Sequence, residues 1–153
     1  MNNEQVKKEC LELMERSKAA YLTTIDHEGK PITRAMFNLR NKQQFPDLSK
    51  LFLNQKNQFL IYISTNTSSS KISHIKKNSA INVYFCDPDD FKGVMLGGDA
   101  EIIEDMKIKQ HVWLDWWTRY YPEGLNDPDY TLLRLNPKTL RYYYRLDQIK
   151  LNL

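Results

Sequence analysis

Two adjacent segments with the pattern of strands, residues 81–86 and 93–104, most constrain what this chain can fold into. The first, Ile81-Asn82-Val83-Tyr84-Phe85-Cys86, alternates apolar and polar side chains, as a strand with one buried face does. The loop Asp87-Pro88-Asp89-Asp90 connects it to the second segment, so the two are predicted to form a hairpin-like pair. Gly97-Gly98 inside the second segment predicts a bulge, or a close approach by another backbone or a ligand.

The remaining segments add more strands than helices. Helices are predicted at residues 2–16, where Asn2 or Asn3 can cap the first turn, at 69–77 and at 105–120, with one helical turn at 46–52. Strands are predicted at 19–25, 31–39, 58–64, 130–135 and 140–146. This order favours an α+β fold built as a closed or partly split barrel. A parallel dinucleotide-binding sheet is disfavoured because no strand is followed by GxGxxG.

Composition and charge narrow the class of protein. The 153 residues are 41% apolar and 27% charged, which is typical of one globular domain, assigned here to residues 1–153. The net charge is only +3 and no dense run of Lys or Arg occurs, so nucleic-acid binding is not indicated. No signal peptide or membrane span is recognisable. Cys10 and Cys86 lie far apart without metal-ligand spacing, which favours reduced thiols and a cytoplasmic location.

The segment Thr65-Asn66-Thr67-Ser68-Ser69-Ser70-Lys71 is the most informative functional signal. It follows an apolar run, so a strand is predicted to end in hydroxyl-rich loop residues directly before a helix with a basic first turn. Free backbone N–H groups and the helix dipole favour an anion at such a point, and hydroxyls with an ammonium group complete a phosphate site. A helix cap in a flexible loop needs the same residue types, so the segment alone leaves both interpretations open.

Seven short motifs follow one another over nearly the whole chain. They are Arg34-Ala35-Met36, Thr65-x-x-x-Ser69-x-Lys71, Asn82-Val83-Tyr84-Phe85, Gly98-Asp99-Ala100-Glu101, Tyr121-Pro122-Glu123-Gly124, Asp127-Pro128-Asp129-Tyr130 and Leu133-Arg134-Leu135-x-Pro137. In this order and spacing the chain resembles the pyridoxamine 5'-phosphate oxidase-like flavoproteins, and within them the bacterial general stress protein group. The resemblance implies an α+β fold, a mainly antiparallel six-stranded split β-barrel with peripheral helices. It also implies a homodimer that holds two FMN molecules in clefts shared between the subunits.

The resemblance assigns one group of residues to the FMN phosphate. Arg34 and Lys71 match the two basic residues that pair with the phosphate in the family. An Arg can give two parallel N–H bonds to a phosphate, while a Lys acts as a point charge, so the two complement each other. Thr65 and Ser69 match hydroxyl positions at the phosphate or the adjacent cofactor edge, and Ser70 stands where many relatives carry a second base.

A second group of residues is assigned to the flavin ring. Ala35, Met36 and Phe37 would run beside the isoalloxazine ring, with their backbone groups at its polar edge, and Ser64 would line the same pocket. Tyr143 is the nearest match to the aromatic residue, often Trp, that relatives place near the end of the chain. A Tyr can still cover an apolar ring face. The C-terminal Arg/His pair with which the true oxidases hold a pyridoxal-type substrate is not found.

The resemblance therefore predicts an FMN-dependent oxidoreductase that acts on a small molecule, with NADH or NADPH as a possible electron donor and no assigned catalytic side chain. A non-catalytic flavin carrier, a haem binder on the same barrel and a dimeric domain that has lost its cofactor remain alternatives. No metal site is predicted, because His27, His74 and His111 lack metal-ligand spacing. Helical spacing assigns Trp113, Trp116 and Trp117 to core and dimer packing.

Overall fold

The computed structural model describes residues 1–153, and its centre is a curled antiparallel sheet of eight strands. The strands are β1 (Ala19–Ile25), β2 (Pro31–Phe37), β3 (Ile61–Asn66), β4 (Ala80–Asp87), β5 (Lys92–Ile103), β6 (Tyr130–Leu135), β7 (Thr139–Tyr144) and β8 (Asp147–Asn152). The helices are α1 (Asn3–Arg16), α2 (Ser70–Lys77) and α3 (Met106–Val112), with short 3-10 helices at Pro46–Phe52, Asp115–Arg119 and Gly124–Asn126. The predicted α+β split-barrel class is confirmed.

The long strand β5 is where the sheet divides into two branches. One edge of β5 pairs with β4 from Lys92 to Asp99. The other edge pairs with β7 up to Gly97 and with β6 from Ala100 onward. Gly98 lies at the fork, where a side-chain carbon would come within 3.1 Å of Leu135 and 3.4 Å of the Asn136 carbonyl oxygen. The glycine pair thus permits the close backbone approach that its position in a strand predicts.

The core consists of two apolar clusters on either side of this fork. One packs the buried face of α1, with Val6, Cys10, Leu13 and Met14, against the inner faces of β1, β4, β5 and β7. The other packs α3 and the 3-10 helices against β3 and β6, with Trp117 nearly fully buried at its centre. Asn2 begins α1 by accepting a hydrogen bond from the Gln5 backbone N–H in a capping box.

The sheet has eight strands, the seven segments predicted from the sequence and β8, which forms because the C-terminal segment folds back. Arg145 turns the chain with a φ of 56°, in the left-handed region, and Leu146 is fully exposed at the tip. Tyr144 then faces Asp147 across a two-residue connection. Such hairpins usually carry Gly, Asn or Asp at the turn, so Arg145-Leu146 gave no signal for a further strand.

The single helix predicted over residues 105–120 is wrong. Helix α3 ends at Val112, Trp113 and Leu114 are extended, and a separate 3-10 helix follows. The break allows Trp113 and Trp117 to approach the same ring, with centroid distances to Tyr130 of 5.2 and 6.2 Å. Tertiary packing of large aromatic rings therefore overrides the helical spacing of the tryptophans.

The two ends of the sheet, β2 and β3, face each other but do not pair. Strand β2 pairs only with β1, and β3 pairs only with β6, so each has one free edge. We call the gap between these two edges the split. Because a strand directs backbone N–H and C=O groups to both of its edges, the split presents unpaired donors and acceptors from both strands. None of the helices combines the length and apolar character needed to cross a bilayer.

Candidate functional site

A cavity of about 480 Å³ lies at the split. It is lined by thirteen residues, Lys18, Ala19, Ala35, Met36, Phe37, Gln44, Ser64, Thr65, Asn66, Lys71, Trp117, Tyr120 and Tyr121. Three consecutive residues of β2 and three of β3 line it, although successive side chains of a strand point to opposite faces. The cavity therefore faces the edges of the two strands, where their backbone groups are free. Its volume is within the range of small-molecule and cofactor sites.

Lys71 is held at one end of the cavity by the start of α2. The Ser69 side chain caps this helix by accepting a hydrogen bond from the Lys71 backbone N–H at 3.3 Å. The Lys71 Nζ atom donates to Ser69 Oγ at 2.7 Å and to Thr65 Oγ1 at 3.0 Å. Both partners are neutral hydroxyls, so the ammonium is oriented without being neutralised.

Arg34 lies beside this end of the cavity, on the inner face of β2. It pairs across the strands with the buried Leu22, and its Nη1 atom donates to Thr24 Oγ1 at 2.8 Å and to the Ile32 carbonyl oxygen at 3.0 Å. Partial burial lowers the pKa of Arg34. Burial also lowers the pKa of Lys71, and the nearby Arg34 charge lowers it further. Two neighbouring cations without a carboxylate partner are a favourable place for an anion.

A buried polar pair supports the position of the Arg34 guanidinium. Thr24 is fully buried, and its hydroxyl hydrogen-bonds to Nδ1 of the buried His74 at 3.1 Å. His74 belongs to α2, three residues after Lys71, so one short chain of hydrogen bonds connects the helix that carries Lys71 to the strand that carries Arg34. The two cations are thus fixed relative to each other by packed and hydrogen-bonded groups.

The charge of the cavity fits a phosphate ester. None of its thirteen lining residues is Asp or Glu, whereas two are lysines. An anion at the Lys71 end would meet an ammonium, the hydroxyls of Thr65 and Ser69, and the Arg34 guanidinium beside them. Hydrogen bonds from charged groups to a phosphate are about twice as strong as neutral ones. The residues present therefore fit the phosphate end of FMN.

Aromatic side chains form the opposite wall and the mouth of the cavity. Trp117 is almost fully buried, Tyr121 is buried, and Tyr120 is exposed at the rim. Burial raises the pKa of Tyr121 to about 12, helped by the charges of Asp129 and Asp127, so its phenol stays protonated at neutral pH. Phe37 extends the wall, with its ring centroid 5.9 Å from that of Tyr120. A planar apolar ring would find matching surfaces here.

The structure brings most of the sequence-predicted residues to this cavity. Six line it directly, namely Ala35, Met36, Phe37, Ser64, Thr65 and Lys71. Ser69 contacts the Lys71 ammonium, and Arg34 lies beside that same end. Ser70 is exposed in the first turn of α2 and does not line the cavity. Tyr143 is on the outer face of β7, with its ring 6.4 Å from that of Tyr84, and does not line this chain's cavity.

Sequence reasoning missed several residues of the site. Trp117 was expected in the core and in dimer packing, and it is a core residue that also lines the cavity. Tyr121 opens the Tyr121-Pro122-Glu123-Gly124 motif, which is the sequence signal for this part of the cavity. Lys18 and Gln44 have no local motif, and only the folded chain brings them to the cavity.

Known proteins place the chain in one family. The family model described as pyridoxamine 5'-phosphate oxidase like matches residues 5–150. A solved structure from Clostridium acetobutylicum, of a protein related to general stress protein 26 of B. subtilis, is 31% identical with a TM-score of 0.78. The alignment covers 100% of this chain and 97% of that one. No curated protein matches the chain at a significant level.

More distant structures share the fold. General stress protein 26 from Bacillus anthracis is 23% identical with a TM-score of 0.72, and the alignment covers 97% of this chain and 99% of that one. A heme binding protein from Mycobacterium smegmatis is 13% identical with a TM-score of 0.69, over 96% of this chain and 57% of that one. The match over residues 5–150 and the Clostridium relative together decide the family. The chain belongs to the pyridoxamine 5'-phosphate oxidase-like family.

Proposed function

We propose that this protein binds FMN in the split cavity and acts as a flavin-dependent oxidoreductase on a small molecule. The observation that carries the proposal is the placing of Lys71 and Arg34 at one end of a cavity that has no acidic lining residue. Riboflavin lacks the phosphate, and FMN carries it as a dianion at neutral pH. The two cations therefore give FMN an electrostatic advantage over riboflavin.

The shape of the cavity suits the rest of the cofactor. From the phosphate end, the free edges of β2 and β3 extend along the cavity and offer backbone N–H and C=O groups to the polar edge of a flavin ring. The aromatic wall of Trp117, Tyr120 and Tyr121 offers apolar surface to the ring itself. Bound FMN would supply the hydride or electron transfer, and the protein would position it.

The protein's own contribution is binding and orientation. No side chain in the cavity is a carboxylate or a histidine, so we assign no general acid or base. NADH or NADPH is the electron donor that we propose to test first, because a nicotinamide ring can stack on an exposed flavin face. We keep a cytoplasmic location in the proposal because Cys10 and Cys86 are both free thiols.

We also propose a homodimer formed through the outer face of the sheet. Five aromatic or apolar side chains lie on this face, Tyr21, Phe37, Tyr84, Met95 and Tyr143. Tyr21 and Phe37 are 37% and 41% exposed, and with the other three they form an apolar patch on one face of the sheet. A two-fold interface would cover them and bring Tyr143 toward the cavity of the second subunit, where we assign its cofactor contact.

The test is to titrate FMN and riboflavin into the wild type, Arg34→Ala and Lys71→Met. Each variant should weaken FMN binding by about 1.5–3 kcal/mol, or roughly 10- to 100-fold, and should change riboflavin binding much less. Lys76→Met is the matched control, because Lys76 is exposed on the same helix and does not line this cavity. Equal FMN affinity in all four proteins would remove Arg34 and Lys71 from the site.

A haem or tetrapyrrole carrier on the same barrel is the second candidate, and it is motivated by the heme binding protein of similar fold. None of the three histidines lines the cavity, so an axial ligand would have to be Met36 or a tyrosine. Purifying the protein without added cofactor separates the candidates. A flavin visible spectrum supports the first, and an intense Soret band supports the second.

A further inference from the structure

The end of the cavity opposite Lys71 carries another lysine, Lys18. Lys18 is exposed, lines the cavity and has no carboxylate partner. Gln44 also lines the cavity, and its side-chain carboxamide forms no hydrogen bond within the protein. A lysine and a carboxamide are therefore both available to a ligand at a place where nothing else in the structure uses them.

Buried asparagines fix the backbone on which these two side chains stand. Asn38 and Asn41 both donate from Nδ2 to the Ser17 carbonyl oxygen, at 2.8 and 2.9 Å. Asn41 also accepts through Oδ1 from the Gln44 backbone N–H at 2.9 Å. Because Asn38 and Asn41 are almost completely buried, the connection that precedes Lys18 and the turn that carries Gln44 are held as one unit.

The spacing between the two ends is comparable to the distance from the phosphate to the ring in an extended flavin mononucleotide. Arg34 pairs with Leu22, and Phe37 pairs with Ala19, which directly follows Lys18. These pairs are three rungs apart, or about 10 Å along the strands. A phosphate held near Arg34 would thus place the ring beside Phe37, with Lys18 next to the edge that faces the end of β2.

We infer that the positive charge of Lys18 acts on the flavin ring and favours the reduced form of bound FMN over the oxidised form. The inference rests on the proposed function, since it assumes that FMN lies in the split cavity. Transfer of a hydride from a nicotinamide donor oxidises the donor and reduces the ring by two electrons. The hydride would bring one hydrogen to N5 together with two electrons, so the reduced ring would carry one net negative charge, shared by N1 and the adjacent carbonyl.

Lys18 would stabilise this added charge, whereas it has little to attract in the neutral oxidised ring. A cation near the polar edge therefore strengthens the binding of reduced FMN and raises the midpoint potential of the bound cofactor. Lys71 does not have this effect to the same extent, because it lies at the phosphate, whose charge is the same in both forms of the cofactor.

The experiment measures the midpoint potential of bound FMN in the wild type, Lys18→Met and Lys18→Arg, with dissociation constants for oxidised and reduced FMN. Lys18→Met should weaken reduced FMN about tenfold more than oxidised FMN, which corresponds to a potential lower by about 30 mV for a two-electron couple. Lys18→Arg should keep the wild-type potential. Lys50→Met, an exposed lysine on the 3-10 helix at Pro46–Phe52, is the control and should also keep it.

The possible failures are distinguishable. If the wild type binds FMN and Lys18→Met has the wild-type potential, the inference is wrong and the FMN proposal stands. If Lys18→Met weakens both forms of FMN equally, Lys18 is an anchor for the cofactor and the inference is again wrong. If the wild type does not bind FMN, the proposed function and the inference fail together.

Discussion

The ammonium of Lys71 is oriented by two hydroxyl oxygens and is not neutralised by any acid. By contrast, the lysines that form ion pairs already have a partner for their charge. The Nζ atom of Lys42, for example, lies 2.8 Å from Oε2 of Glu15. A lysine with only neutral acceptors keeps its attraction for a ligand anion. The Lys71 ammonium is therefore available to an anionic ligand.

The ionisation of this lysine and of the phosphate predicts how FMN affinity depends on pH. Affinity should rise as pH increases through about 6, where the phosphate loses its second proton and gains charge. FMN affinity should fall again at alkaline pH, because Lys71 loses its proton. The pKa of Lys71 is lowered, so this loss of the proton begins below the ordinary value of 10.5. The affinity of riboflavin, which has no phosphate, should change little over the same range.

Fluorescence titrations of both flavins from about pH 5 to pH 10 measure these curves. Lys71→Met should lose the alkaline fall while keeping the rise near pH 6. An FMN curve that runs parallel to the riboflavin curve throughout would show that the phosphate does not meet these cations.

Strand β5 shows how a single residue can determine where the sheet divides into two branches. Gly98 stands where the strand exchanges β7 for β6 as its neighbour, and its missing side chain leaves room for the backbone at Asn136 and Lys138. The nearest backbone atoms would be 3.4 and 3.5 Å from a first side-chain carbon, so a branched side chain cannot be accommodated without moving the turn between β6 and β7.

Gly98→Val should consequently destabilise the protein by about 1–3 kcal/mol, the usual cost of overpacking. Urea denaturation followed by circular dichroism measures the free energy of unfolding. Met95→Val, on the same strand but on its half-exposed outer face, is the control and should cost less. A Gly98→Val protein as stable as the wild type would mean that the fork does not require a glycine.

Some helices and strands could be predicted from local sequence signals, and others could not. Alternation, caps and turn residues located α1, the β1–β2 hairpin and the β4–β5 pair, because these signals act within a few residues. Strand β8 and the end of α3 were not predictable in this way, since an arginine turn and the packing of tryptophans on Tyr130 decide them. The end of β2 at Phe37, rather than residue 39, has a similar cause, because Asn38 turns inward to α1.

The candidate site likewise contains residues that local motifs indicate and residues that only the folded chain brings together. Arg34 and Lys71 belong to motifs, so their proximity could be anticipated from a family resemblance. Lys18 reaches the cavity only because a buried asparagine unit joins the end of α1 to the turn that follows β2. Contacts of this kind link residues more than twenty positions apart, and no local pattern in the sequence encodes them.

At the scale of the whole molecule, the aromatic outer face of the sheet leads us to expect association of two subunits. We expect a homodimer in solution, and Tyr21→Lys should shift it toward monomer, because a charge replaces an aromatic ring at the centre of the proposed interface. Light scattering coupled to size-exclusion chromatography measures the mass. Leu53→Lys, which changes an exposed residue away from the sheet, should leave the dimer intact. A monomeric wild type would refute the interface.

The two unpaired strand edges have a consequence for the protein before any ligand arrives. Strands that end a sheet without cover are templates on which another chain can add, and neither β2 nor β3 contains an internal proline to prevent it. A cofactor seated between them would shield both templates at once. Flavin supply would then govern how much of the newly made protein stays dispersed and how much is lost to aggregates.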